Sequence, residues 1–178
     1  SQAGSFSTTQ SAANSTSLKT GSGQYQASFT SNDTPYQDWT GDLRKTALDP
    51  TTGLPTGAAL WSAQALLDTQ TSRNIATWNP TSSTGVPFET ANLSATQATQ
   101  LGATAALQAT TLNYLRGDQS QEKHNGGTLR NRSHILGDMV NSTPQYVGPP
   151  NGPDFSSSYF SFVTANKTRA GMLYVGAN

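Results

Sequence analysis

Apolar residues in this chain come in short runs whose spacing changes from one stretch to the next. Tyr25 to Thr30 (YQASFT) alternates apolar with polar, the period of a strand with one buried face. Turn formers Asn32, Asp33 and Pro35 follow, and Trp39-Thr40-Gly41-Asp42-Leu43 reads as a short strand with an aromatic anchor. Asp49 to Gly53 (DPTTG) has the residue chemistry of a turn. Ala58 to Asp68 (AALWSAQALLD) is apolar all round and predicts a short buried helix, while Arg73 to Trp78 alternates again as a strand. After a loop over 79–92, Ser94-Ala95-Thr96-Gln97 fits a capping box. The helix it opens runs to Leu115, with Leu101, Ala105, Leu112 and Leu115 on one face and Gly117 placed for a left-handed end. Beyond a polar loop over 118–128, strands are predicted at Leu136 to Val140, Pro144 to Val147, Tyr159 to Val163 and Gly171 to Val175. About seven short strands with two inserted helices make a mainly β fold.

Residues 1–24 hold almost no apolar side chain and read as a flexible Ser/Thr/Gly-rich arm or linker, leaving 25–178 as the folded part. Only 11% of the 178 residues are charged and 33% are apolar, and roughly two-fifths are Ser, Thr, Asn or Gln. Small neutral hydrogen-bonding groups have taken the place of charge, which suits an extracellular protein that binds glycans or partners or sits in a filament. A net charge of zero gives no electrostatic footprint for nucleic acid, and no apolar run is long enough to span a membrane. With no Cys, disulfides and thiol chemistry are excluded, so strand pairing, packing, ions or partners must hold the fold. The apolar strand ending at Val175 has three residues after it. A core strand in that position invites association, and the expectation is either another chain covering it or a sequence cut short.

The catalytic inventory is thin. His124 and His134 stand ten apart with no ligand triad, and no nucleophile elbow, phosphate loop, carboxylate pair or calcium loop is present. The chain therefore reads as a non-enzyme with no cofactor of its own. Arg116-Gly117-Asp118 is first of all what an ordinary helix end looks like: a cation in the last turn, a left-handed Gly and a turning Asp. The same three residues are the candidate binding site if the segment holds one, with Asn113 and Tyr114 in support. Trp39, Trp61 and Trp78 each sit in a patterned segment and read as core anchors rather than sugar platforms.

A longer pattern adds to this. Tyr114-Leu115-Arg116-Gly117-Asp118, Leu129-Arg130-Asn131-Arg132-Ser133, the run from Leu136-Gly137-Asp138 to Pro144, Tyr146-Val147-Gly148 and Tyr174-Val175-Gly176-Ala177-Asn178 occur in order. The set resembles the start of the C-terminal propeller domain of the PilC/PilY family of type IV pilus tip-associated proteins. Trp39 to Leu43, Leu60 to Ala63 and Arg73 to Ile75 resemble earlier, weaker family motifs. The resemblance implies a partial β-propeller, its first blades with two helical insertions, incomplete as it stands. It implies a tip adhesin or pilus assembly factor at the cell surface, pilus tip or outer membrane. The partners it implies are minor pilins or a host-cell receptor, together with missing propeller blades or further copies of the chain. The calcium loop of some members has no counterpart here, so calcium is left to other parts of a complete protein.

Within the motifs, Arg130 and Arg132 are two apart and point to one side of an extended chain, where a guanidinium forks onto carboxylates or carbonyls. Asp138 is the partner expected, Asp42 and Asp118 being alternatives, and the three residues Arg130, Arg132 and Asp138 read as a structural clamp between loops. Two other classes remain open: a structural subunit that self-assembles into a filament or coat through open β edges, and a quinoprotein-like enzyme remnant.

Overall fold

The computed structural model describes residues 10–13, 22–32 and 36–178. In chain order the elements are β1 (Gln10–Ala13), β2 (Gly23–Ser31), β3 (Trp39–Leu48), β4 (Pro55–Ser62), α1 (Ala63–Asp68), β5 (Ala76–Asn79), β6 (Thr84–Pro87), α2 (Ala95–Leu101), α3 (Ala105–Leu115), β7 (Gln145–Val147), α4 (Ser157–Asn166) and β8 (Met172–Tyr174). Single 3-10 turns lie at Thr90–Asn92 and Lys123–Asn125. The chain divides into two compact units, one made of Ser1–Asn32, Trp39–Asp68 and Leu136–Asn178, the other of Asp33–Asp38 and Thr69–Ile135.

The first unit is built on an antiparallel sheet in the order β1-β2-β3-β4. Alternation in YQASFT is realised as expected: Tyr25, Ala27 and Phe29 are buried while Gln26 and Thr30 face solvent. Tyr25, Ala27, Leu43 and Met139 form the core cluster, with Trp61, Ala63, Leu136, Tyr146, Leu173 and Val175 packed against it. Side chains from the Leu136–Val140 and Gly171–Val175 segments thus cover one face of the sheet, and a fully buried side chain of this size contributes about 1.5–3 kcal/mol. Tyr146 stacks on Tyr25 at 5.7 Å. Burial, then the nearby Tyr146 phenol, raises the Tyr25 pKa above its ordinary value.

Gly41 brings the Trp39–Leu43 and Leu136–Val140 motifs backbone to backbone, and Gly137 does the same for the latter and Asn178. The Gly41 N–H donates to the Leu136 carbonyl (3.4 Å), and a β-carbon on Gly41 would collide with the carbonyl of Gly137. One on Gly137 would collide with the Asn178 carbonyl. The Asn178 N–H in turn donates to the Asp138 carbonyl (3.0 Å). Residues 136–140 were expected as a strand and are not one. Their backbone makes single bonds on either side of Gly137 rather than a ladder.

The second unit holds the β5–β6 hairpin and the α2–α3 pair. The capping box at Ser94 forms in full: its hydroxyl accepts from the Gln97 N–H and the Gln97 side chain accepts from the Ser94 N–H. The single helix expected from 94 to 115 is two helices. Gly102 ends α2 in an extended conformation, and the Thr104 side chain caps α3 by accepting from the Leu107 N–H.

Other expectations need correction. Among the described residues the structure is mixed rather than mainly β, with 26% helix and 29% strand in several antiparallel sheets and no closed barrel. One four-stranded sheet and two two-stranded ones are described. Four α-helices lie among the described residues where two insertions were expected. The front of the predicted 58–68 helix is β4, since Trp61 and Ser62 pair with Lys45 and Arg44. Tyr159 to Val163 is helical inside α4, which the Ser156 hydroxyl caps by accepting from the Tyr159 N–H. Of the predicted arm, Gln10–Ala13 is a strand pairing antiparallel with β2. Most of the arm and the Asp33/Pro35 turn lie outside the described residues. Trp39 and Trp78 are more than half exposed, Trp39 stacking on Phe29, and only Trp61 packs on the core.

Candidate functional site

In the second unit, α3 ends in a complete Schellman motif. Gly117 takes φ +109°, its N–H donates to the Tyr114 carbonyl, and the Asp118 N–H reaches back to the Asn113 carbonyl, both at 2.9 Å. The Arg116 Nη1 donates to the Phe88 carbonyl (2.7 Å), which ties the arginine down. Asp118 stays exposed. Its carboxylate accepts from the Ser120 N–H (2.8 Å). That bond first, then the Ser120 hydroxyl, holds its pKa below the ordinary carboxylate value, so it is ionised at neutral pH. Helix end and presented acid are therefore the same geometry.

Behind this turn lies a buried ion pair. Glu122 is fully buried. It accepts from the Arg132 Nε (2.7 Å) and from the Arg132 backbone N–H (2.9 Å). The remaining guanidinium nitrogens donate to the carbonyls of Tyr114 (2.9 Å) and Asp118 (3.1 Å). The guanidinium also lies 3.7 Å from the centre of the Tyr114 ring. One side chain thereby fixes the end of α3, the 118–122 loop and its own strand-like segment. Next to it, the buried Asp38 carboxylate accepts from the Ser133 N–H (2.7 Å) and hydroxyl.

An open cleft of about 440 Å³ lies beside the Schellman turn, lined among others by Ser72, Arg73, Asn113, Arg116, Asp118 and Ile135. Arg116, Gly117 and Asp118 are all on its wall. Tyr114 turns to Arg132 and gives its hydroxyl hydrogen to the Arg130 carbonyl (3.1 Å).

Of the clamp residues, Arg132 and Asp138 each find a partner within their own unit. Arg132 clamps, but onto Glu122. Arg130 is exposed. Asp138 belongs to the first unit, where its carboxylate accepts from the Asn178 side-chain amide (3.0 Å). Asp42, the alternative acid, is also taken: Arg44 Nε, the Ser62 hydroxyl and the Gln64 N–H all donate to it. Burial acts to raise the Asp42 pKa, but these bonds, Arg44 foremost, outweigh it and hold the value low. Sequence reasoning missed Glu122, Asp38 and Arg73. Glu122 sits in a stretch read as polar loop, and only the folding back of 118–128 puts its carboxylate opposite Arg132. His124 places Nδ1 3.4 Å from Glu122, and among the described residues no group of three His, Asp or Glu could hold a metal.

The sequence motifs thus have physical roles, in a core built from their apolar members and clamps built from their polar ones. A protein of Xylella fastidiosa named type IV pilus biogenesis factor PilY1 homolog is 40% identical over 172 residues, covering 93% of this chain. Type IV pilus biogenesis factor PilY1 of Pseudomonas aeruginosa strain PAK is 34% identical over 172 residues, covering 86%. The chain belongs to the PilY1 family. It spans 13% of the length of the first relative and 14% of the second. No family model matches the chain, and no solved structure matches it.

Proposed function

We propose that this chain supplies a partner-binding face to a type IV pilus biogenesis factor and acts by surface contact rather than by chemistry. The observation that carries the reading is Asp118: an exposed, ionised carboxylate held at a rigid Schellman turn on the rim of a polar cleft. Its helix, its turn and its loop are all pinned by Arg132, so little conformational freedom is lost when a partner engages it. The partners that fit are minor pilins or a host-cell receptor, met at the cell surface or pilus tip.

Self-assembly through open edges has less behind it. One of the two edge strands, β4, begins at Pro55, carries Gly57 at φ +66° and faces a register shift between Lys45 and Ala47. Proline, glycine and bulges are what blunt an edge against further pairing.

The test is Asp118→Ala in the full-length pilus factor. Adhesion of piliated cells, or capture of purified minor pilins, should fall while the melting temperature stays within a degree or two, as for other exposed substitutions. Unchanged adhesion and capture would overturn the assignment.

A further inference from the structure

Three guanidiniums gather in the second unit, and among the described residues one of them, Arg132, has a carboxylate partner. Arg132 is neutralised by Glu122. Arg73 and Arg116 line the cleft, and neither has a carboxylate within ion-pairing distance among the described residues. Arg116 uses one nitrogen on the Phe88 carbonyl. The Arg73 Nε is buried and has no hydrogen-bond partner among the described residues. Leaving a buried donor unbonded costs about 1–3 kcal/mol, and native structures rarely carry such a group without a reason. Burial, then the fields of Arg116 and Arg132, pulls the Arg73 pKa down from its ordinary value, so its charge is held against repulsion.

The cleft walls suit an anion with two acceptor oxygens. Gln70, Thr71, Ser72 and Asn113 offer neutral amides and hydroxyls. Gly117 stands close to both Ile135 and Arg73, a β-carbon there lying 3.2 Å from the Ile135 side chain and 3.7 Å from the Arg73 Nη1. Two acids set the charge. Asp118 lines this cleft, and Glu89 lines the adjoining one that shares Arg73 and Arg116. Both stand beyond pairing distance, yet both would repel a doubly charged phosphate more than a singly charged carboxylate.

We propose that this cleft binds a carboxylate, forked by Arg73 with Arg116 as the second cation. Planar guanidinium and planar carboxylate match in a two-bond fork. The inference deepens the reading of this cleft as a binding face and rests on that reading for its setting. Its test uses small anions on the chain alone, so its failure is separable from failure of Asp118-dependent adhesion. The carboxylate has two sources, a free acid or an acidic residue of a partner polypeptide.

The experiment follows the arginine Nε–Hε resonances of the nitrogen-15-labelled chain. It is titrated with sodium acetate, with sodium phosphate, with sodium chloride at matched ionic strength, and with the capped peptide acetyl-Gly-Glu-Gly-amide against its Gln counterpart. Saturable movement of the Arg73 and Arg116 signals is expected with acetate and the Glu peptide, with Arg44, Arg130 and Arg169 unmoved. Arg73→Lys keeps the charge but loses the fork, and should bind roughly tenfold more weakly, the loss of one charge-assisted bond. Tighter binding of the Glu peptide than of acetate assigns the carboxylate to a polypeptide, and equal binding assigns it to free acids. Equal shifts with chloride, stronger binding of phosphate than acetate, or undiminished binding by a folded Arg73→Gln chain would each overturn the proposal.

Discussion

Arg132→Met should be among the most damaging single changes in the second unit. It removes the Nε bond to Glu122, the bonds to the Tyr114 and Asp118 carbonyls, and the stacking on the Tyr114 ring. Glu122, with no exposure to water, keeps the bond from the backbone N–H of residue 132 and the half-exposed His124 ring at 3.4 Å. Breaking a buried pair from one side typically costs about 3–5 kcal/mol, because the charge left behind is neither solvated nor neutralised. Domains have only about 5–15 kcal/mol in hand. In urea, with slopes near 1–3 kcal/mol/M, the midpoint of the transition reporting this unit should fall by about 1 M or more. Hydrogen exchange gives the local readout. Amides at the end of α3, such as those of Arg116 and Gly117, should lose protection ahead of amides in β2 and β3. A double change, Glu122→Leu with Arg132→Met, removes both charges and should recover much of the loss, since an apolar pair of similar size is often no worse than a buried ion pair. A cost under about 1 kcal/mol for Arg132→Met would refute the clamp. So would a double mutant that costs the sum of the two singles.

Two further predictions concern the first unit. Met139→Ala should destabilise it by about 2–5 kcal/mol, since Met139 is buried against Tyr25, Ala27 and Leu43 and the cavity cannot fill without moving the sheet; urea unfolding followed by the fluorescence of Trp39 and Trp61 checks this, and a loss below about 1 kcal/mol would mean the 136–140 segment is not seated there. Asp42 titrates below its ordinary range because Arg44, Ser62 and Gln64 donate to its charged form, so its stabilising effect is full at neutral pH and lost as pH falls from about 4 through the lower folded value. The melting temperatures of the native chain and Asp42→Asn should accordingly converge on acidification, and a gap that stays constant down to low pH would contradict the assignment.

Local signals were legible where the chemistry is local. Alternation in YQASFT, the Ser94 capping box and the Gly117 helix end all depend on residues within a few positions of one another, and each is found where the pattern puts it. The misses come from long-range choices. Ala58 to Trp61 has helical composition but becomes strand because β3 offers Lys45 and Arg44 as pairing partners. Tyr159 to Val163 has strand composition but becomes helix because Ser156 caps it locally. The clamp was legible in one half: two arginines at strand spacing announce a fork, while nothing in the sequence says which of the acids will be folded back to meet Arg132.

That asymmetry follows from how the motifs work. Trp39-Thr40-Gly41 and Leu136-Gly137-Asp138 look like separate family marks, yet they meet at one backbone approach that a methyl group on Gly41 would block. The Tyr114-to-Asp118 and Leu129-to-Ser133 motifs likewise meet through one guanidinium. Each motif supplies half of a contact, so neither half has a physical meaning when read alone. The residues left over after these pairings are informative for the same reason. Arg132, Asp38, Asp42 and Asp138 all find partners within their own units. Arg73 lacks a partner for its buried Nε, and Asp118 holds its charge at the surface with only a local turn to satisfy it. Both line one cleft, and a fold that has balanced its other buried charges there leaves that cleft as the place where an outside group adds the most.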